Sequence, residues 1–163
     1  MLIWIMIAAA VVAVDQLAKL LVMTNLKATD IVHVIPGLFD FVYVKNTGAA
    51  FSILSGNTAL LAVISVVFCI GVAYYWLKTK PKARMFQLSL TLLFAGALGN
   101  AIDRIFRGFV VDFISTAFMQ FPVFNIADIA ITVGATILVI YLLFFDKEEI
   151  KDGENNPEGT KPE

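Results

Sequence analysis

The sequence TALLAVISVVFCIGVAYYWL, residues 58–77, contains no charged side chain and is long enough to cross a bilayer as one helix. A hydrocarbon core of about 30 Å needs roughly 20 apolar residues in helical conformation. Two further segments have the same character, and residues 1–26 form another apolar run that Asp15 and Lys19 interrupt. These segments predict four transmembrane helices, at about residues 1–26, 58–77, 85–103 and 125–145.

The overall composition supports a membrane protein. Of the 163 residues, 60% are hydrophobic and 15% are charged, whereas about 25% are charged in soluble domains. The net charge of −1 indicates no basic surface for nucleic acid. Cys69 is the only cysteine, which excludes an intramolecular disulfide and a cysteine metal site. We interpret it as a small apolar side chain within the second span.

The charges of the connections predict the orientation. Residues 78–84 contain four basic side chains, whereas the other two connections contain two each. The positive-inside rule then places residues 78–84 and both termini in the cytoplasm. Residues 1–26 begin without basic residues, so we expect a retained helix and not a cleaved signal peptide. Residues 146–163 are acidic and predict a disordered cytoplasmic tail after a single domain, residues 1–145.

Both outward connections are predicted to be structured. Residues 31–35 and 39–44 are rich in β-branched and aromatic side chains and flank Pro36-Gly37, which favours a β-hairpin. Residues 105–124 mix apolar and polar side chains, and we expect a short interfacial helix there. The predicted fold class is an all-α membrane protein with four transmembrane helices, a small extracytoplasmic β segment and a short interfacial helix.

Ionisable side chains at membrane depth are costly and are often functional. Asp15 and Lys19 lie one turn apart on the first helix. They can neutralise each other or a neighbouring helix, or they can contact a substrate. Asn100 lies about one turn deeper than Asp103 and Arg104. Those two alone would be ordinary residues of the membrane interface, whereas Asn100 is harder to explain in that way.

Two carboxylates lie on the outward side of the predicted fold. Asn125 and Asp128 have the spacing of a helix cap, which can explain both residues. Asp112 is a second acid on the same side. If Asp112 and Asp128 converge, they can share one proton and cleave a peptide bond, since one activates water and the other supports the carbonyl oxygen. Spacing leaves both interpretations open.

Five segments, taken in order, resemble the signature blocks of bacterial lipoprotein signal peptidase, also called signal peptidase II. They are residues 15–19 (DQLAK), 46–51 (NTGAAF), 96–104 (GALGNAIDR), 110–113 (VVDF) and 124–128 (FNIAD). The resemblance covers about residues 10–145. It implies an aspartyl protease of the bacterial plasma membrane that uses no metal or cofactor. Such an enzyme cuts diacylglyceryl-modified prolipoproteins before the lipidated cysteine, near the outer leaflet.

The resemblance also implies roles for individual residues. The catalytic pair falls on Asp112 and Asp128, and a polar pair of the first helix falls on Asp15 and Lys19. The positions that support the site or hold substrate backbone are Asn46, Gly48, Ala50, Asn100, Arg104 and Asn125. The implied partners are a diacylated prolipoprotein and membrane phospholipid, without nucleic acid, and we expect a monomer.

Two other classes of protein remain open from the residues alone. A small transporter or channel subunit would use Asp15, Lys19 and Asp128 as a proton path, and it predicts acids spread through the membrane depth. Outside the acidic tail, the sequence instead places most acids at the outer edge. A non-catalytic membrane adaptor would bind a partner through its outer β segment and would tolerate Asp112→Asn.

Overall fold

Four long helices dominate the computed structural model, which describes residues 1–48 and 54–145. All four are long and apolar enough to cross a membrane, which confirms the predicted spans. Ala50 and the tail of residues 146–163 lie outside the described residues, and the single domain over residues 1–145 stays a prediction. The helices are α1 (Leu2–Asn25), α2 (Thr58–Thr79), α3 (Arg84–Arg107) and α4 (Ile126–Phe144).

Helix α3 lies at the centre and packs against α1, α2 and α4. Its approach to α4 depends on glycine. A Cβ atom on Gly96 would collide with the carbonyl oxygen of Ala127 and lie 2.7 Å from the Ile131 side chain. A Cβ atom on Gly134 would lie 3.0 Å from the backbone nitrogen of Leu93. Because packing drives helix association in lipid, these small residues allow the close α3–α4 contact.

Both long connections contribute strands to one antiparallel sheet at the same end of the bundle. Its strands are β1 (Val32–Ile35), β2 (Phe39–Asn46) and β3 (Val110–Thr116), in the order β1-β2-β3. The predicted hairpin is confirmed. At its turn Leu38 donates a backbone hydrogen bond of 2.9 Å to Ile35, and Gly37 has a φ of 77°. A turn of this kind needs a residue that tolerates positive φ.

The expectation of a short interfacial helix in residues 105–124 is wrong. Helix α3 continues to Arg107, Gly108 ends it with a φ of 78°, and the chain then enters β3. Branched and aromatic side chains suit a strand, and β2 satisfies the backbone groups of β3 by pairing with them. Phe113, one of the apolar side chains that suggested a membrane-surface helix, instead packs in a buried cluster with Val111 and with Val22 of α1.

The register of β2 and β3 decides which side chains share a face of the sheet. Val44 pairs with Asp112, and Asn46 pairs with Val110. Alternate residues of a strand lie on one face, so the side chains of Asn46 and Asp112 lie together. The start of α4 follows β3 closely, because Phe124 exchanges backbone hydrogen bonds with Ile114. The sheet therefore brings β3 and the first turn of α4 to the same place.

The α3–α4 crossing yields a stability prediction. Gly96→Ala adds a methyl group where no space exists, and overpacking of this kind costs about 1–3 kcal/mol. The thermal unfolding midpoint of the detergent-solubilised protein should fall. Gly71→Ala on α2 is the matched control, because a Cβ atom there meets nothing within 4 Å. An equal effect of both substitutions would contradict the close crossing.

Candidate active site

A cleft opens beneath the sheet, between α2, α3 and α4, and both Asp112 and Asp128 line it. Asp112 lies on β3, whereas Asp128 lies in the first turn of α4. The cleft has a volume of about 1090 Å³, above the usual range of about 300–1,000 Å³ for small-molecule pockets. It therefore has room for an extended ligand such as a peptide.

Asn125 connects the two acids. Its side-chain amide donates a 2.7 Å hydrogen bond to Oδ1 of Asp112. Its side-chain oxygen accepts a 2.9 Å bond from the backbone nitrogen of Asp128, and its own backbone nitrogen donates to Oδ2 of Asp128 at 3.2 Å. The last two bonds form a capping box at the start of α4. The helix cap and the convergence of two carboxylates, which the sequence left as alternatives, therefore coexist.

Two more asparagine side chains hold the carboxylates. Asn46 donates to Oδ2 of Asp112 at 2.8 Å, and Asn100 donates to Oδ1 of Asp128 at 2.8 Å. The amide of Asn46 is itself oriented, because its oxygen accepts a 2.8 Å bond from the backbone nitrogen of Gly48. Each carboxylate thus accepts hydrogen bonds from two neutral N–H donors.

The surroundings of Asp112 favour its protonated form. Burial raises the pKa of the Asp112 carboxyl to about 6, and the nearby charge of Asp128 acts in the same direction. The hydrogen bonds from Asn46 and Asn125 partly oppose this rise in the pKa, since they stabilise the ionised form. A carboxyl group that exchanges its proton near neutral pH, beside a second carboxyl group, is suited to general acid–base chemistry.

Arg104 supplies the positive charge of the cleft. Its Nη2 atom donates a 3.1 Å bond to the carbonyl oxygen of Gly48, and its charge acts on both Asp112 and Asp128. Its Nε atom is buried and has no hydrogen-bond partner among residues 1–48 and 54–145. Over the same residues, no cluster of three or more His, Cys, Asp or Glu side chains is arranged to hold a metal ion.

Asp15 and Lys19 lie behind the cleft and are fully buried. The Lys19 ammonium contacts Oδ2 of Asp15 at 2.9 Å and Oδ2 of Asp103 at 3.0 Å. It also donates a 3.0 Å bond to the side-chain oxygen of Asn100. Of the two roles that the sequence left open for Asp15 and Lys19, the geometry favours an ion pair between helices.

Three residues of this buried cluster were missed by the sequence analysis. Asp103 was interpreted as an interfacial residue, but its side chain is fully buried and pairs with Lys19 and Arg107. Gln16 donates to Oδ1 of Asp103 at 3.1 Å and accepts from Arg107 at 3.0 Å. A signal was present, because Asn100, Asp103 and Arg107 have the spacing of one helix face.

Comparisons with known proteins agree on one family. A family model described as Signal peptidase (SPase) II matches residues 7–144. A lipoprotein signal peptidase of Staphylococcus aureus is 42% identical, over 92% of this chain and 93% of its own length. One from Enterococcus faecalis is 36% identical, over 95% of this chain and 96% of its own length. A solved structure of a bacterial membrane enzyme is 38% identical and has a TM-score of 0.82, over 98% of this chain and 94% of that chain.

The pKa of Asp112 can be measured directly. Infrared difference spectra should show a protonated carboxyl band that titrates near pH 6 and is missing in Asp112→Asn. In Asn46→Ala this band should titrate at higher pH, because the lost hydrogen bond stabilised the ionised form. Asn25→Ala, at the exposed end of α1, is the matched control and should leave the band unchanged. A band that persists in Asp112→Asn would contradict the assignment.

Proposed function

The chain belongs to the signal peptidase II family and is a multi-pass membrane peptidase of lipoprotein processing, and from this premise we propose that Asp112 and Asp128 form its aspartyl dyad. The observation that carries the proposal is Asn125, which donates a hydrogen bond to each carboxylate, from its side-chain amide to Asp112 and from its backbone nitrogen to Asp128. Both acids also line the large cleft of the described structure. The neutral amides around them allow the pair to share one proton.

Cleavage by this dyad follows from its two protonation states. The ionised carboxylate takes a proton from a water molecule, and the resulting hydroxide adds to the scissile carbonyl carbon. The protonated carboxyl donates a hydrogen bond to the carbonyl oxygen as negative charge develops there. The C–N bond then breaks, and the leaving nitrogen takes up the proton that the carboxylate removed from water and becomes the new amino terminus, which returns the pair to its starting state. The elevated pKa of Asp112, about 6, makes a proton available for this cycle near neutral pH.

The lining of the cleft suits a lipid-modified substrate. Ile64 and Phe68 of α2 and Ile129 and Val133 of α4 contribute apolar side chains on either side of the polar centre. A diacylglyceryl group cannot leave the bilayer without exposing its chains to water, so such a substrate must reach the dyad from the membrane. We infer a prolipoprotein whose diacylglyceryl cysteine follows the scissile bond, with phospholipid as the surrounding partner.

Arg104 is proposed to hold the substrate backbone. Its guanidinium lines the cleft and is anchored to the carbonyl oxygen of Gly48, which leaves further N–H donors for a peptide carbonyl. Gly48 would support this contact from the loop after β2. A role for Ala50 rests on the resemblance alone, since Ala50 lies outside the described residues.

The orientation of the chain is a proposal from the charge of its connections. The sheet and the cleft lie at the end of the bundle opposite to residues 80–83, which join α2 to α3. The four basic side chains of residues 78–84 favour the cytoplasmic side for that connection. The dyad would then lie near the outer leaflet of a bacterial plasma membrane, with both termini in the cytoplasm. The described residues of a single chain line the cleft with both acids, and we propose a monomer.

The buried charges argue against a proton path of the transporter type. A proton path needs groups that can take up and release protons in sequence. Asp15 and Asp103 instead share Lys19, and Arg107 also pairs with Asp103. A non-catalytic adaptor, in turn, would have no use for two converging carboxylates in a cleft, one of them with a pKa near neutrality.

The dyad is tested by substitution. Asp112→Asn and Asp128→Asn should each lower turnover of a diacylated prolipoprotein by at least about 1,000-fold, as expected for residues that act together in the chemical step. The purified variants should remain folded in detergent. Asp40→Asn, which alters an acid on the hairpin, is the matched control and should keep wild-type turnover. Wild-type turnover in either dyad variant would refute the assignment.

The pH dependence of cleavage follows from the shared proton. As the pH rises through the pKa of Asp112, about 6, the proton of the pair is lost and kcat/KM should fall. At strongly acidic pH both carboxyls are protonated, no base remains, and kcat/KM should fall again. The profile of the purified enzyme should therefore be bell-shaped. A kcat/KM that rises continuously with pH would rule out a shared proton.

A further inference from the structure

Two buried carboxylates hold the backbone next to the proposed dyad. The backbone nitrogen of Val111 donates a 3.0 Å hydrogen bond to Oδ2 of Asp103. The backbone nitrogen of Ala127 donates a 2.9 Å bond to Oδ1 of Asp15. Val111 directly precedes Asp112, and Ala127 directly precedes Asp128. Each dyad residue is therefore anchored at the preceding peptide unit by a different acid.

Lys19 joins these two anchors. Its ammonium lies 2.9 Å from Asp15 and 3.0 Å from Asp103, and all three residues are 0% exposed. A continuous series of contacts thus runs from the backbone of β3, through Asp103, Lys19 and Asp15, to the backbone of α4. Charge-assisted hydrogen bonds of this kind are short and strong.

We propose that Asp15, Lys19 and Asp103 form a positioning bridge that sets the separation of Asp112 and Asp128. The proposal rests on the proposed function, because it assigns the bridge to that dyad. The three residues are positioning residues and not catalytic ones, since they act on the dyad through the backbone of Val111 and Ala127.

The bridge is needed because the dyad residues come from separate elements. Asp112 lies on a strand and Asp128 on a helix, so no local backbone geometry determines the distance between their carboxyl groups. Asn125 donates hydrogen bonds to both carboxylates, and the bridge anchors the backbone of the residue that precedes each of them. A displacement of about 1 Å in an active site can cost about 100-fold in rate, so the separation must be held closely.

Lys19 also orients an amide of the site. The side-chain oxygen of Asn100 accepts from Lys19 at 3.0 Å and from Asn125 at 3.2 Å. With its oxygen directed at these two donors, Asn100 presents its NH₂ group to Asp128. The space for this arrangement depends on Gly99, where a Cβ atom would lie 2.8 Å from Oδ2 of Asp15.

Two variants break the bridge while each leaves one buried ion pair intact. Asp103→Asn keeps the Lys19–Asp15 pair, whereas the double variant Asp15→Asn/Lys19→Met keeps the Arg107–Asp103 pair. Each should lower kcat by about 10- to 100-fold, and each should change KM by less than about threefold, because none of the substituted side chains lines the cleft. Asp40→Asn is again the matched control, since it removes an exposed pair with His33.

Combining the substitutions gives a readout that a general loss of folding would not produce. The triple variant Asp15→Asn/Lys19→Met/Asp103→Asn combines two changes, each of which breaks the bridge by itself. Its kcat should therefore equal the kcat of the less active parent variant, and the two fold losses of kcat should not multiply. Independent structural defects would multiply, and multiplied losses would overturn the bridge.

The remaining outcomes are also decisive. Wild-type kcat in folded Asp103→Asn, together with inactive Asp112→Asn and Asp128→Asn, would overturn the bridge and leave the dyad in place. Active Asp112→Asn or Asp128→Asn would instead overturn the proposed function itself. If Asp103→Asn does not fold, Asp103→Glu keeps every charge and shifts the acceptor by one methylene. We expect kcat to fall by about tenfold in Asp103→Glu, and an unchanged kcat would overturn the bridge.

Discussion

Lys19 places a buried ammonium group in contact with two buried carboxylates, and this contact constrains the rest of the structure. A charge removed from water is tolerated only when it is paired and hydrogen-bonded. Asp15 and Lys19 come from α1 and Asp103 comes from α3, so α1 and α3 must pack with these faces together. Oδ2 of Asp103 and Oδ1 of Asp15 also accept hydrogen bonds from backbone N–H groups of β3 and α4. Because each of these buried charged groups needs a partner, polar groups collect in the interior of the bundle and apolar helix faces surround them.

The chemistry of the cleft depends on a separation of charged and neutral groups. Lys19, Asp15 and Asp103 lie behind Asn100, whereas the two acids of the proposed dyad accept hydrogen bonds from neutral amides of Asn46, Asn100 and Asn125. Neutral donors stabilise a carboxylate less than a cation does. Burial therefore prevails at Asp112, and its pKa rises to about 6 despite two hydrogen bonds. Had Lys19 contacted Asp112 directly, the proton needed for acid catalysis would be held less firmly.

The sequence predicts the parts of this protein that depend on local pattern. Apolar run length located the four spans, and Pro36-Gly37 with its flanking branched residues located the hairpin. Strand β3 was missed because its stability comes from pairing with β2, a contact between residues far apart in the chain. Asp103 was missed for a similar reason, since its depth depends on the packing of α1 against α3. The approach of Asp112 to Asp128 was an open alternative until Asn125 was seen to contact both.

Asp128 combines two roles, one structural and one in the proposed chemistry. It closes the capping box that starts α4, and it is a member of the proposed dyad. A substitution that weakened the binding of an inhibitor to this carboxylate would also remove one of the two hydrogen bonds of the capping box at the start of a transmembrane helix. Drug resistance by change at this position would therefore cost both the proposed chemistry and part of a helix cap. An antibiotic directed at Asp128 would therefore contact a side chain that is costly to replace on two separate grounds.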